Sequence, residues 1–403
     1  MDNLRTLAEY ETIATGRHTS LFVDDLLKHQ SEISDRLYGR RVAISGAAGS
    51  VGYSTVRAIL GFTPKTVALF ALNENGLVEV VRELRSSPGI RPPENLAALP
   101  IGLGSLEFTR YLREHKPFDY ILNLSALKHV RSQKDVYTLM RMVDTNILFL
   151  HELVHNLPRP CINFFSVSSD KAVNPGNLMG ATKMVMEKVL LSHSAIQPYS
   201  SARFANVAFS NGSLPFGVLQ RLQKRQPLAA PADVRRYFIS HEEAGQLCLL
   251  ASILGGNGDI FFPKLRGLSE KTFPEIAIAI LNLTGYEPFE CRSEEEAKNS
   301  IDELLAQGKW PCLFTASDTE GEKPLEEFYA DGDRLDIDRF GRIGIVKKKL
   351  QSNERTATEN FIRFARTAKS KHGISKDDYI AELQHLAPSL QHVDSDRSLD
   401  EKM

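Results

Sequence analysis

Three side chains that exchange protons or donate hydrogen bonds stand next to one another at Ser169, Asp170 and Lys171. They follow an apolar run at residues 161–165, which predicts a buried strand. In an open α/β sheet, ligands bind at the carboxyl ends of the strands, so this position favours an active site. Adjacent side chains on extended backbone diverge, and we expect the carboxylate and the ammonium to flank a substrate. Taken alone, the segment also fits a surface loop with an ordinary Asp-Lys pair.

A further ammonium group follows in the next predicted helix, at residues 179–190. Met179 and Lys183 are four residues apart, so they share one face of that helix. A turn at Pro175 and Gly176 brings this helix back towards the preceding strand. The spacing therefore predicts that Lys183 lies near the Asp170 segment.

A glycine pattern of the form GxxGxxG occupies residues 46–52, between a predicted strand at 39–45 and a predicted helix at 53–60. Glycine lets the backbone turn sharply and approach a pyrophosphate, and the helix start offers free N–H groups to the anion. The alternative is a tight turn without a ligand. The residues expected to contact a dinucleotide here are Gly46, Gly49, Ser50, Val51 and Gly52.

The sequence leaves the choice between NAD and NADP open. The second predicted strand, residues 66–71, ends in Ala71, where an acidic residue would hold the ribose hydroxyls of NAD. Asn73 follows and is expected to contact the cofactor, but no arginine stands directly after the strand to bind a 2′-phosphate.

These segments together resemble the extended short-chain dehydrogenase/reductase family. The pattern at residues 168–172, Met179 and Lys183 is similar to that of the CapD-like dehydratases acting on UDP-N-acetylglucosamine, often described as polysaccharide biosynthesis proteins. Most of the superfamily has tyrosine where Met179 stands, and one branch of the dehydratases shares the methionine. The resemblance covers about residues 39–286, with a weaker match at 321–323.

The resemblance implies a nucleotide-sugar 4,6-dehydratase with a tightly bound, recycled NAD or NADP. The sugar is oxidised at C4, water is lost across C5 and C6, and hydride returns to C6. Asp170 would be the acid for the C6 hydroxyl, Lys171 the base at C5, and Ser169 a partner of the C4 oxygen. Met179 cannot exchange a proton, so Asp170, Lys171 and Lys183 stay open as the base for the C4 hydroxyl. Lys183 also resembles the lysine that binds the nicotinamide ribose.

The resemblance also assigns residues on neighbouring segments. Amide side chains suit a hydroxyl or acetamido group, and a guanidinium suits a diphosphate. Without the resemblance, Lys128 fits a solvated lysine and His129 fits a packed residue at a helix start. The further cofactor contacts are Ser125 and Ala126. The expected substrate contacts are Lys128, His129, Asn206, Asn211, Arg236 and Glu322.

The order of elements predicts an α/β fold with a doubly wound parallel (Rossmann) sheet of about seven strands and a smaller, discontinuous C-terminal substrate-binding part. By resemblance, we expect a homodimer or larger homo-oligomer joined through the helices at 140–154 and 179–190. The expected domains are an N-terminal helical extension at 1–38, the NAD(P)-binding domain at 39–235, the mainly substrate-binding part at 236–350, and a C-terminal helical extension with a polar tail at 351–403.

Composition argues against several partners. The net charge of −1 favours neither nucleic acid nor an anionic membrane surface. The four cysteines form no CxxC pair, which argues against a zinc site or a disulfide framework. We see no secretory signal and no apolar run of about 18 residues, so we expect a cytoplasmic protein without a metal or a membrane partner.

Two other functions stay open on the sequence. One is an epimerase or reductase of the same superfamily acting on a related UDP-sugar. The other is a catalytically impaired nucleotide-sugar-binding protein, which is compatible with the departures from the family pattern at Ala71, Leu103, Met179 and Ala205.

Overall fold

The computed structural model describes residues 6–317 and 325–390. Its helices are α1 Leu7–Thr15, α2 Val23–Leu37, α3 Ser50–Leu60, α4 Glu74–Ser86, α5 Leu106–Glu114, α6 Val136–Val143, α7 Phe149–His155, α8 Leu178–His193, α9 Leu214–Lys224, α10 His241–Leu254, α11 Phe273–Leu283, α12 Glu294–Asn299, α13 Ile301–Ala306, α14 Ser352–Ala368 and α15 Lys376–Leu386. Its strands are β1 Arg41–Ser45, β2 Thr66–Phe70, β3 Asn95–Leu99, β4 Tyr120–Asn123, β5 Asn163–Ser169, β6 Tyr199–Phe204, β7 Asn206–Val207, β8 Leu228–Pro231, β9 Arg235–Arg236, β10 Phe238–Ile239, β11 Asp259–Pro263, β12 Lys271–Thr272, β13 Glu287–Glu290, β14 Lys309–Thr315, β15 Leu335–Asp336 and β16 Ile343–Lys347.

The central sheet has nine strands in the order β15-β16-β11-β6-β5-β4-β1-β2-β3. The strands from β11 to β3 pair in parallel, whereas β16 pairs antiparallel with both β11 and β15 at one edge. Helices α2, α3, α4 and α10 contribute to the core on one face, and α5, α7 and α8 to that on the other. The arrangement confirms the predicted doubly wound sheet with seven parallel strands.

A second, smaller sheet of three strands, in the order β13-β14-β8, packs with α9 and α11 around its own apolar cluster. Strands β11, β15 and β16 return to the large sheet, so residues 236–350 contribute to both sheets. The domain boundaries expected from the sequence stay a prediction. The charged segment at 292–307 forms the two short helices α12 and α13.

The N-terminal helices are tied to the large sheet by buried polar contacts. Arg17 forms a two-pronged ion pair with Glu243 at the start of α10. The carboxylate of Asp25 accepts hydrogen bonds from the backbone of Gly341 and Arg342, just before β16. The predicted helical extension is therefore part of the folded core.

The two C-terminal helices cover α6, the residues that follow it, and one face of α8. Phe361, Ile362 and Leu383 lie in one buried apolar cluster with side chains from those elements. The covered segments belong to the helices at 140–154 and 179–190, which the sequence led us to expect at a subunit interface. That expectation is wrong for this face, because the chain's own helices α14 and α15 occupy it, and the oligomeric state itself stays a prediction. In the described residues, no helix combines the length and apolar character needed to cross a bilayer.

Candidate active site

The carboxyl end of β5 turns directly into a short 3₁₀ segment at Asp170–Ala172. The Ser169 hydroxyl donates to Asp170 Oδ1 at 2.7 Å, and Lys171 Nζ lies 3.3 Å from both oxygens of the same carboxylate. The expectation that these two side chains diverge is wrong, because the turn replaces the extended backbone that the expectation assumed. The three groups form one contiguous hydrogen-bonded cluster.

Helix α8 approaches this turn closely because it has glycine at position 180. A Cβ atom at Gly180 would lie 2.3 Å from the carbonyl oxygen of Lys171, so a larger residue would push the helix away from the turn. Asn177 caps the helix through its side chain, which accepts from the Gly180 N–H at 2.9 Å. The helix start is thereby fixed against the Asp170 segment.

Lys183 is buried one helical turn after Met179, and both side chains line the same cavity. Its Nζ donates to the carbonyl oxygen of Val167 on β5 at 3.0 Å. Burial lowers the pKa of Lys183 from 10.5 to about 8, while the nearby Glu187 carboxylate opposes that shift. Lys183 therefore exchanges a proton more readily near neutral pH than an ordinary lysine does.

The glycine segment after β1 fits a dinucleotide. A Cβ at Gly52 would lie 2.0 Å from the carbonyl oxygen of Gly46, which itself has φ of +79°, so both positions require glycine. Helix α3 begins after Gly49 with no side chain capping its first N–H groups, which leaves them available to an anion. The backbone N–H of Asn211 donates to Ser50 Oγ at 3.0 Å and brings a second loop to the same place.

A π-helical segment at Asp144–Leu148, between α6 and α7, holds the loop after β4 in place. The Asn146 side chain accepts from the backbone N–H of Leu127 and donates to its carbonyl oxygen, each at 3.0 Å. The same amide also donates to Thr182 on α8. Asn146 thus joins the loop to the helix that carries Lys183.

That loop carries Lys128 and His129 into the cavity. Lys128 Nζ donates to Ser210 Oγ at 3.3 Å, and burial lowers its pKa. The His129 ring lies against Gly212, where an added Cβ would approach it to 2.6 Å. Burial and the charge of Lys128 lower the pKa of His129, which favours the neutral imidazole.

The side chain of Asn206 meets a buried carboxylate from a segment remote in sequence. Its Nδ2 donates to Glu326 Oε1 at 2.6 Å. Arg236, expected to bind a diphosphate, does not line the cavity, and its buried side chain lies with Nε 4.0 Å from the same oxygen. Glu322, expected to contact the substrate, lies outside the described residues.

A buried ion pair links the segment containing Glu326 to the sheet. Arg203 on β6 forms two hydrogen bonds to Glu187 and donates to the carbonyl oxygen of Phe328 at 2.7 Å. The Ser168 hydroxyl donates to the same glutamate at 2.6 Å. Sequence reasoning assigned no role to Arg203 or Glu187, since their pairing joins positions on different elements.

Most of the predicted residues converge on one cavity of about 400 Å³. Four described exceptions lie outside its lining: Gly46 turns the backbone with φ of +79°, Asn73 caps α4, Ser125 bonds Ser45, and Arg236 is buried near Glu326. Their contacts with a ligand stay predictions. The predicted residues that line the cavity are Gly49, Ser50, Val51, Gly52, Ala126, Lys128, His129, Ser169, Asp170, Lys171, Met179, Lys183, Asn206 and Asn211.

Comparison with known proteins gives a family match over residues 42–347, to the family described as polysaccharide biosynthesis protein. An uncharacterized membrane protein of Methanocaldococcus jannaschii is 30% identical over 64% of this chain and 76% of that protein. The probable polysaccharide biosynthesis protein EpsC of Bacillus subtilis is 27% identical over 78% of this chain and 55% of that protein. An inverting UDP-N-acetylglucosamine 4,6-dehydratase of Campylobacter jejuni is 25% identical over 57% of this chain and 68% of that enzyme.

Solved structures share the fold at low sequence identity. Pen from Bacillus thuringiensis aligns with a TM-score of 0.62 and 18% identity, over 88% of this chain and 99% of that one. A UDP-glucuronic acid 4-epimerase from Bacillus cereus, crystallised with NAD and a UDP-sugar, aligns with a TM-score of 0.53 and 13% identity, over 72% of this chain and 90% of that one.

Proposed function

The chain belongs to the polysaccharide biosynthesis protein family, and we propose that it is an NAD- or NADP-dependent 4,6-dehydratase of UDP-N-acetylglucosamine. The observation that carries the proposal is the hydrogen-bonded cluster of Ser169, Asp170 and Lys171, which shares one cavity with the glycine segment and Lys183. Water loss across C5 and C6 needs an acid and a base on one substrate, and this cluster supplies both. The 25% identical Campylobacter dehydratase supports the choice of reaction.

The glycine segment and Lys183 would hold the dinucleotide, which supplies hydride acceptance from the sugar C4 and hydride return to C6. Asp170 gives a proton to the C6 hydroxyl, which leaves as water. Lys171 takes the C5 proton as the C5–C6 double bond forms, and later returns a proton to C5. The proton released by the C4 hydroxyl balances the one that Asp170 gives up.

The contact between Asp170 and Lys171 suits this sequence of proton transfers. The acid must begin protonated and the base neutral, and that state differs from the charged pair by a single proton moved between adjacent groups. Met179 leaves the group that takes the C4 proton open among Asp170, Lys171 and Lys183. The reduced pKa of Lys183 suits that step.

The second candidate is an epimerase of the same superfamily, supported by relatives named UDP-glucose 4-epimerase at 24% identity. Inversion at C4 needs no acid for the C6 hydroxyl, so the placement of Asp170 favours the dehydratase. The absence of a tyrosine at Met179 supports the third candidate, a nucleotide-sugar-binding protein without catalysis.

Incubation of the purified chain with UDP-N-acetylglucosamine, followed by mass spectrometry, tests the proposal. We expect loss of one water from the sugar and, when the reaction is run in deuterated water, incorporation of deuterium at C5. Asp170→Asn and Lys171→Met should each abolish water loss while the cofactor stays bound. A cofactor-loaded chain that gives no product with any UDP-N-acetylhexosamine would support the binding protein, and an isomeric product of unchanged mass would support the epimerase.

A further inference from the structure

Glu326 is a buried carboxylate with one oxygen fully used and the other without a partner. Its side chain is 1% exposed. Oε1 accepts from Asn206 Nδ2 at 2.6 Å and from the backbone N–H of Tyr237 at 3.2 Å. Among the described residues, Oε2 is buried and accepts no hydrogen bond. A buried acceptor in this state is costly, so its retention beside a cavity calls for a functional explanation.

The hydrogen bond to Glu326 determines which end of the Asn206 amide remains for a ligand. A carboxylate only accepts, so Asn206 must direct its NH₂ group towards it. The amide oxygen, Oδ1, then has no partner among the described residues, and the Asn206 side chain lines the cavity. The cavity therefore meets a hydrogen-bond acceptor at this position.

The charges around Glu326 come from two separate elements, the 3₁₀ segment after β5 and strand β9. Burial, followed by the negative charge of Asp170, raises the pKa of Glu326 to about 7, while Arg236 and Lys171 oppose the shift. Because Oε1 is held by two donors, the proton of the neutral form goes to Oε2, and Asn206 keeps its orientation in both states. Ionisation strengthens Oε1 as an acceptor and so holds Asn206 more firmly.

We propose that Glu326 is a positioning residue that turns the Asn206 amide oxygen into the cavity, where it selects a sugar carrying a hydrogen-bond donor, such as an acetamido N–H or a hydroxyl group. The choice of a UDP-sugar as the ligand rests on the proposed function. Because UDP lacks the sugar, its affinity reports whether an effect at Glu326 is specific to the sugar contact.

Calorimetric titration of UDP-N-acetylglucosamine and UDP into the cofactor-loaded chain tests this role. Glu326→Ala should weaken the UDP-sugar about tenfold, the size of one lost hydrogen bond, and leave UDP within about twofold. Glu326→Gln keeps an acceptor oxygen for Asn206 and Tyr237, and should stay within about threefold of wild type for both ligands. Asp331→Asn, an exposed carboxylate on the same segment, is the matched control and should change neither affinity.

The pH profile separates positioning from a merely structural role. Wild-type affinity for the UDP-sugar should rise as Glu326 ionises through about pH 7, and Glu326→Gln should remove that rise. Equal loss of both ligands in Glu326→Ala, a glutamine variant as weak as the alanine variant, or a rise that persists in Glu326→Gln would each overturn the inference. If Glu326→Ala does not fold, the pH dependence of UDP-sugar affinity in Glu326→Gln tests the positioning role by itself.

Water loss is measured separately from binding, so the two proposals fail in different ways. If the chain binds the UDP-sugar without dehydrating it, the proposed function is wrong, and the binding measurements still test the role of Glu326. A wild-type chain that binds UDP-N-acetylglucosamine no more tightly than UDP has no sugar contact for Asn206 to make, and that result would overturn the positioning role.

Discussion

Helix α8 has two faces with opposite properties. One carries Met179 and Lys183 into the cavity. The other buries Leu178, Ala181 and Val185 against the two C-terminal helices. The cavity face holds an ammonium group that burial disfavours, whereas the opposite face is apolar and close-packed.

The difference indicates that one face of α8 serves the cavity and the other face stabilises the fold. Desolvation of Lys183 costs folding free energy, and the same desolvation lowers its pKa. A lysine that exchanges protons near neutral pH needs that lowered pKa. Apolar burial on the opposite face stabilises the helix that positions the lysine. Variants on the cavity face should therefore lower activity without lowering stability, and variants on the opposite face should lower stability without lowering activity per folded molecule.

The largest expected effect is on the cavity face. Lys183→Met should reduce the rate of water loss by about 10² to 10⁴-fold, as expected when a proton-transferring or cofactor-positioning group is removed. Its thermal unfolding temperature should equal or exceed that of wild type, since a buried charge is lost. Steady-state kinetics and calorimetry measure the two quantities, and a variant that unfolds earlier and stays active would contradict these separate roles of the two faces.

Phe361→Ala on α14 should lower stability and leave activity unchanged. The side chain is fully buried in the C-terminal cluster, so its removal should lower the free energy of unfolding by about 3–5 kcal/mol. Activity per folded molecule should not change. Phe364→Ala, a partly buried ring on the same helix, is the control and should cost less in a urea titration.

The buried ammonium should also make stability depend on pH. The folded-state pKa of Lys183 is about 8 and its ordinary value is 10.5, so the unfolded chain holds more protons between those values. Stability contributed by this group should rise from about pH 8 to 10.5, by up to about 3 kcal/mol. The difference in urea midpoint between wild type and Lys183→Met should follow that rise; a constant difference would show that Lys183 titrates normally.

The smallest effect is expected for the polar contact at the border of the two faces. Lys188 donates to Glu354 on α14 at 2.8 Å and to the carbonyl oxygen of Leu386 on α15 at 3.1 Å. Lys188→Met should lower the free energy of unfolding by about 1 kcal/mol, because the pair is partly solvated. Leu383→Ala should cost several times more, and equal costs would mean that charge, not apolar burial, holds the helices.

Local patterns were sufficient for the features that lie close together along the chain. The glycine segment, the Asp170 segment and the spacing from Met179 to Lys183 each identify a strand end or a helix start. Parallel sheets bring strand ends to a common edge, so these segments meet in one cavity. Arg203 with Glu187, and Glu326 with Asn206, are joined across different elements, and no local pattern predicts such a pairing.

The amino-acid order by itself determined the doubly wound sheet, the glycine segment at the first helix start and the set of side chains able to exchange protons, because hydrophobic period, glycine spacing and side-chain chemistry are local properties. Only the tertiary structure decided that Asp170 and Lys171 touch, that α14 and α15 cover α8, and that Asn206 donates to Glu326. Those outcomes depend on a turn's backbone angles and on packing between segments remote in sequence, which are set when the whole chain minimises exposed apolar surface and unpaired polar groups together.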